Sequence, residues 1–253
     1  MLSGGAKLSA AFLAQEIDIY GREVILELRE NKTIKEEKPL AGSVEKMQDA
    51  TVREAADLSE FNEKIKDCLK CALGHTRKKF VFGNGNPNAT LMFIGEAPGQ
   101  DEDEQGLPFV GAAGQLLTKI ISIAGFARDE VYIANILKCR PPGNRVPLPE
   151  EIESCMPYLS QQIELINPRY IFCLGRTAAQ SLLGLNDSLG NLRKKTYQFL
   201  QAQMFVTYHP AALLRNPQWR WDCYDDLRKF RAVFDAEVGG KPPMQELEAK
   251  KRA

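Results

Sequence analysis

The chain has 253 residues, 44% hydrophobic and 26% charged, an ordinary balance for a globular protein and enough length for one substantial core. No apolar run approaches the length of a membrane span, and the N-terminus lacks the basic, apolar and small-residue order of a secretory signal. A cytoplasmic protein with no membrane partner is therefore expected. The formal net charge is zero but uneven, with 8 Lys/Arg against 12 Asp/Glu in residues 1–60 and 25 against 21 in residues 61–253, a balance that permits nucleic-acid binding without demanding it.

Residues 8–30 place apolar side chains at helical spacing opposite a charged face and predict an amphipathic helix. The Lys/Glu-rich stretch up to residue 57 reads as a linker, so residues 1–57 are expected to be an extension appended to a folded domain at 58–238. Residues 239–253 are expected to form a flexible charged tail. Inside the domain, TLMFIG (90–95), VYIANIL (131–137), YIFCLG (170–175) and MFVTYH (204–209) predict four strands. Helical patterns lie between them at 112–125, 149–166 and 176–184, and another at 219–237 closes the domain. This alternation predicts an α/β fold with a mainly parallel sheet covered on both faces.

Ligands of such sheets bind beyond the carboxyl ends of the strands. The first strand ends at Gly95-Glu96-Ala97, the second carries Asn135, the third runs into Gly175-Arg176 and the fourth ends at His209. The first of these ends opens a glycine-rich stretch, LMFIGEAPGQDEDEQGLPFVGAAG, whose acidic residues are the wrong sign for a loop that cradles phosphate. Asp101, Asp103 and Glu104 there read as solvated loop charges. Beyond His209, Leu213 and Leu214 read as exposed leucines in a loop beside Arg215, suited to a wedge between stacked bases.

Cys68 and Cys71 form a CxxC, and Cys139 and Cys155 flank a loop with four prolines. Four thiolates from three segments suit a tetrahedral zinc or a cubane iron–sulfur cluster, and spacing alone does not separate the two. Cys173, inside a strand pattern, and Cys223, inside a helical one, read as small core residues, and His75 as a surface or capping residue.

Taken together, GEAPGQDEDEQGLPFVGAAGQLL (95–117), ANILKCRPPGNRVP (134–147), HPAALLRNP (209–217) and the four cysteines resemble the family 4 (iron–sulfur) uracil-DNA glycosylases over about residues 66–235. The resemblance implies a three-layer α/β/α fold with a central four-stranded sheet. It also implies a [4Fe-4S] cluster on Cys68, Cys71, Cys139 and Cys155, and a monomer that hydrolyses the N-glycosidic bond of uracil in single- or double-stranded DNA at the nucleoid. Glu96 follows the first glycine, unlike the family 5 pattern. The GEQPG form and basic insertion of the covalently trapping relatives are absent, so simple turnover is expected.

On that reading the base leaves the stack. It then lies on Phe109, against the Gly95 and Ala97 backbone, with its N3–H and O4 read by Asn135. His209 stabilises the departing uracil anion at O2. Either Glu96 or Glu102 serves the water; shielding of the uracil C5 edge against thymine is the alternative use of a second carboxylate. A non-catalytic iron–sulfur DNA-binding module and a nucleotide-phosphate hydrolase are the competing readings. Glu96, Asn135 and His209 together argue against the first, and the missing P-loop lysine against the second.

Overall fold

The structure, a computed structural model, describes residues 55–247. The amphipathic helix expected at 8–30 and nearly all of the expected linker lie outside the described residues. The first element is helix α1 (Leu58–Ile65), started by Asp57, whose carboxylate accepts from the backbone N–H groups of Ser59 and Glu60.

Four apolar runs form the parallel strands β2 (Leu91–Gly95), β3 (Tyr132–Asn135), β4 (Tyr170–Leu174) and β6 (Ala202–Thr207). Every residue of the first three is buried, as a sheet covered on both faces requires. Alternate residues serve opposite cores. Met92 and Ile94 join a cluster with helices α4 (Pro149–Ile166) and α5 (Arg176–Leu183), while Leu91 and Phe93 join one with α3 (Ala112–Ile123) and α8 (Arg220–Glu237). Phe230 of α8 anchors the second cluster, with its ring 5.4–5.7 Å from those of Tyr170, Phe172, Phe205 and Phe234.

The sheet has six strands in the order β1-β3-β2-β4-β6-β5, not four. The two additions, β1 (Asn84–Gly85) and β5 (Tyr197–Phe199), are short antiparallel edge strands. Neither contains the fully buried apolar run that identifies a central strand. The helices that follow β2 and β4, neighbours in the sheet, pack on opposite faces, so the connections diverge between these two strands. This is the crevice at which α/β sheets bind ligands.

Residues 241–245 are not a free tail. Lys241 pairs with Glu130 at 2.5 Å, Arg231 donates to the Pro242 carbonyl, and the Gln245 N–H donates to the Ile123 carbonyl. Met244 packs on the core between them. The one charge of this segment, Lys241, has its partner on the body, which composition alone cannot show.

Candidate active site

The acidic stretch after β2 is not a loop throughout. Gly99 opens a short helix, α2 (Gln100–Gln105), and Gly106 closes it in the left-handed conformation at φ 77°. One oxygen of Glu102 accepts from the Gly99 N–H at 3.0 Å. The other accepts from the N–H groups of Val110 and Gly111 at 2.8 and 3.0 Å. Glu102 thus fastens the two ends of the glycine-rich segment together. Glu96 differs: it is half-buried at the mouth of the strand, and its carboxylate has no hydrogen-bond or ionic partner among the described residues. Asp103 corrects the expectation of a solvated charge. It is 3% exposed and accepts from the N–H groups of Lys78 and Lys79, because its place on α2 turns it toward the preceding segment. Asp101 and Glu104 are exposed, and Glu104 pairs with Lys78.

Phe109 is buried and has a left-handed backbone at φ 53°, a conformation that costs a non-glycine residue about 1 kcal/mol. Two features hold it there. Arg128 donates to the carbonyls of Pro108 and Phe109 at 2.9 and 3.0 Å, and Gly114 passes so closely beneath that a Cβ would fall on the Phe109 carbonyl. The ring then lies against Gly95, and its centroid is 5.6 Å from that of His209.

Asn135 ends β3 with 2% exposure, beside Gly95 and Phe109. Its Oδ1 is buried without a hydrogen-bond partner. Such an orphan costs about 1–3 kcal/mol unless something supplies a donor. His209 caps helix α7 (Pro210–Arg215), its Nδ1 accepting from the Ala211 N–H at 3.2 Å. That bond leaves the proton of the neutral ring on Nε2. Burial pushes the imidazole down to about 4, helped by nearby Arg215 and opposed by Glu102, so at neutral pH His209 is an uncharged Nε2–H donor.

Leu213 corrects a second expectation. Residues 210–215 are helical, and the three-residue step from buried Pro210 turns Leu213 into the core at 5% exposure. Leu214 at 49% and Arg215 remain on the surface.

Cys68, Cys71, Cys139 and Cys155 line one small cavity with Phe80 and Tyr158. The sulfurs receive hydrogen bonds of the kind that stabilise ligating thiolates. The Lys138 backbone N–H donates to Cys155 Sγ at 3.3 Å, Tyr158 Oη to Cys68 Sγ at 3.3 Å and Arg77 to Cys139 Sγ at 3.5 Å. Burial pushes the Cys139 thiol up to about 11 and the Cys155 thiol up to about 12. Without a cation in the cavity burial keeps these two thiols protonated. Cys173 and Cys223 are core residues, and His75 is exposed, all as expected.

Several working residues carried no sequence signal. Arg77 also donates to the backbone carbonyls of Cys68 and Lys66, fixing the CxxC turn. Arg128 lies 19 residues beyond the phenylalanine it holds. Lys138 is 0% exposed in a segment where a lysine reads as a surface charge, and Gln162 meets it from α4.

A doubly covered parallel sheet, with an amide, a neutral imidazole and an aromatic ring gathered beyond its carboxyl ends, defines an α/β protein with its ligand site at the point where the connections diverge. The chain belongs to the uracil DNA glycosylase superfamily, whose family model matches residues 82–230. The type-4 uracil-DNA glycosylase of Pyrobaculum aerophilum is 47% identical over 182 residues, covering 69% of this chain and 93% of that protein. That of Thermotoga maritima is 43% identical over 180 residues, covering 70% and 94%. The type-5 uracil-DNA glycosylase of Pyrobaculum aerophilum is 30% identical and covers 52% of this chain and 66% of that protein. The likeness is therefore to the type-4 branch.

Proposed function

We propose that this protein is a monofunctional uracil-DNA glycosylase of the type-4 kind. It extrudes uracil from DNA and hydrolyses its N-glycosidic bond, the first step in repairing deaminated cytosine. The observation that carries this reading is the unpaired Oδ1 of Asn135, buried beside Phe109 and His209. Uracil N3–H supplies the missing donor, and its O4 accepts from the amide nitrogen. Cytosine presents an unprotonated N3 and an amino group, so both amide atoms of Asn135 stay unmatched, at about 1–3 kcal/mol each.

Phe109 supplies the stacking face, a contribution of about 1–3 kcal/mol. The backbone of Gly95 and Ala97 lies along the base, where a glycine is needed to let ring, amide and base meet. As the glycosidic bond lengthens, the pyrimidine ring takes negative charge and the sugar becomes cation-like. His209 donates Nε2–H to uracil O2 and stabilises that charge without a proton transfer. We assign the water to Glu96, because its carboxylate has no partner among the described residues, whereas both oxygens of Glu102 are engaged. Glu102 then acts by holding the loop, and its charge faces the sugar through the site. Leu214 fills the gap left in the duplex, and Arg215 meets a phosphate. Leu213 takes no part in this wedge.

A [4Fe-4S] cluster on Cys68, Cys71, Cys139 and Cys155 suits the cavity. The thiols surround it from three segments, as the four cysteine ligands of a cubane cluster would. When bound, the cluster would take the four thiolates as ligands and tie the CxxC turn to the segment after β3 and to α4. We assign catalysis to residues 58–238 of a monomer acting at the nucleoid, and leave residues 1–57 as an appended extension. No described helix is long and apolar enough to cross a membrane.

The test is incubation of the purified, iron-loaded protein with an oligonucleotide holding one uracil, followed by alkali. Cleavage at the uracil, and none at a cytosine control, is expected. An intact strand would overturn the assignment.

A further inference from the structure

The cysteine cavity and the base-reading amide share one residue. Lys138 follows Asn135 by three positions and precedes Cys139 by one. Its ammonium is fully buried, donating to the Asn135 backbone carbonyl at 2.9 Å and to Gln162 Oε1 at 2.5 Å. Its backbone N–H donates to Cys155 Sγ, and its carbonyl accepts from the Val81 N–H. Gln162 is itself fixed, donating from Nε2 to the Phe82 carbonyl. Both Gln162 and Cys155 lie on α4, so the lysine is held against one helix at two points.

A buried ammonium is normally matched by a carboxylate. Among the described residues none bonds or pairs with Lys138; two neutral oxygens meet its ammonium instead, the Asn135 carbonyl and Gln162 Oε1. The carbonyl it grips belongs to the residue at which β3 leaves the sheet, where the ladder no longer fixes the backbone on both sides.

We propose that Lys138 is a positioning residue for uracil recognition, a strut that sets the backbone, and so the side-chain amide, of Asn135 from the wall of the cysteine cavity. The inference rests on the function proposed above. It explains why a long side chain with a terminal donor occupies this place: it reaches the strand end from a backbone already bonded to the cavity wall. A methionine fills the same volume but leaves the Asn135 carbonyl without its donor.

The experiment compares wild type with Lys138→Met. Iron content is measured first, then free-uracil binding by calorimetry, and KM and kcat on the uracil oligonucleotide. The expected result is an unchanged iron content per folded chain, with the uracil Kd and the KM each raised about tenfold and kcat lowered less. A role confined to stability would lower the melting temperature or the active fraction and leave Kd and KM in place. A variant whose Kd and KM stay within about twofold of wild type therefore overturns the proposal, whatever happens to its stability. Should Lys138→Met not yield folded protein, Gln162→Met decides by the same two constants: raised values support the strut and unchanged ones overturn it. Wild type that neither binds nor excises uracil would overturn the function itself, a result distinct from a variant that binds like wild type.

Discussion

The ring of Phe109 presses on Gly95 so closely that a single added Cβ would stand 2.5 Å from its Cζ, and 2.5 Å from Asn135 Oδ1 as well. The two side chains proposed to face the base are thus set by a third residue that has no side chain. Gly95→Ala must displace the ring, the amide or both. We expect kcat/KM for uracil excision to fall at least about a hundredfold, as misplacement of about an ångström can cause, with stability lowered by about 1–3 kcal/mol, as overpacking costs. Alanine tolerated at full activity would show that neither side chain is held where the base lies.

The two carboxylates separate by what they hold. Glu102→Ala frees three buried-side N–H groups, and should lower stability by about 2–3 kcal/mol together with uracil affinity. Glu96→Ala removes no hydrogen bond among the described residues and should change stability by less than about 0.5 kcal/mol. Its kcat should drop about 10²–10⁴-fold, the usual loss for a group acting on the nucleophile. Denaturant melts and single-turnover rates read the two effects, and the reverse pattern would move the water to Glu102.

His209 gives a pH signature. Its folded value, about 4, lies below the ordinary 6.5, so the unfolded chain takes up a proton first as pH falls. Stability attributable to this residue is complete above about 6.5 and declines between there and about 4. The acid limb of the rate, measured in single turnovers, should likewise fall nearer 4 than 6.5. His209→Gln should flatten the stability change over that interval. A rate limb centred at 6.5 would mean that the ring is an ordinary solvated imidazole.

Adjacent leucines should behave oppositely. Leu213→Ala empties a core position and should cost about 2–4 kcal/mol in a denaturant melt. Leu214→Ala should leave the melt unchanged and slow excision from duplex DNA more than from single strands, where no stack has to be held open. Equal effects on the two substrates would remove the wedge.

How far the sequence reveals this protein depends on where each residue's partners lie. The parallel strands are legible because burial on both faces writes an apolar run into each, and the four cysteines because CxxC spacing is rare by chance. The edge strands are not legible, since Asn84-Gly85 is held by pairing with Tyr132 and Ile133 and not by its own composition. Leu213 and Leu214 look alike in the chain, and only the six-residue helix beneath them decides which is buried. Asp103, Arg128 and Lys138 draw their roles from backbone groups, some of them far along the chain, and backbone groups have no letter in a sequence.

The residues proposed to meet the base come from the end of β2, the segment after α2, the end of β3 and the end of β6, up to 114 positions apart. Such long-range pairings carry a high loop-closure cost and are slow to form. No single local segment of the chain holds the whole pocket, and the loss of any one of these strands removes one of its walls.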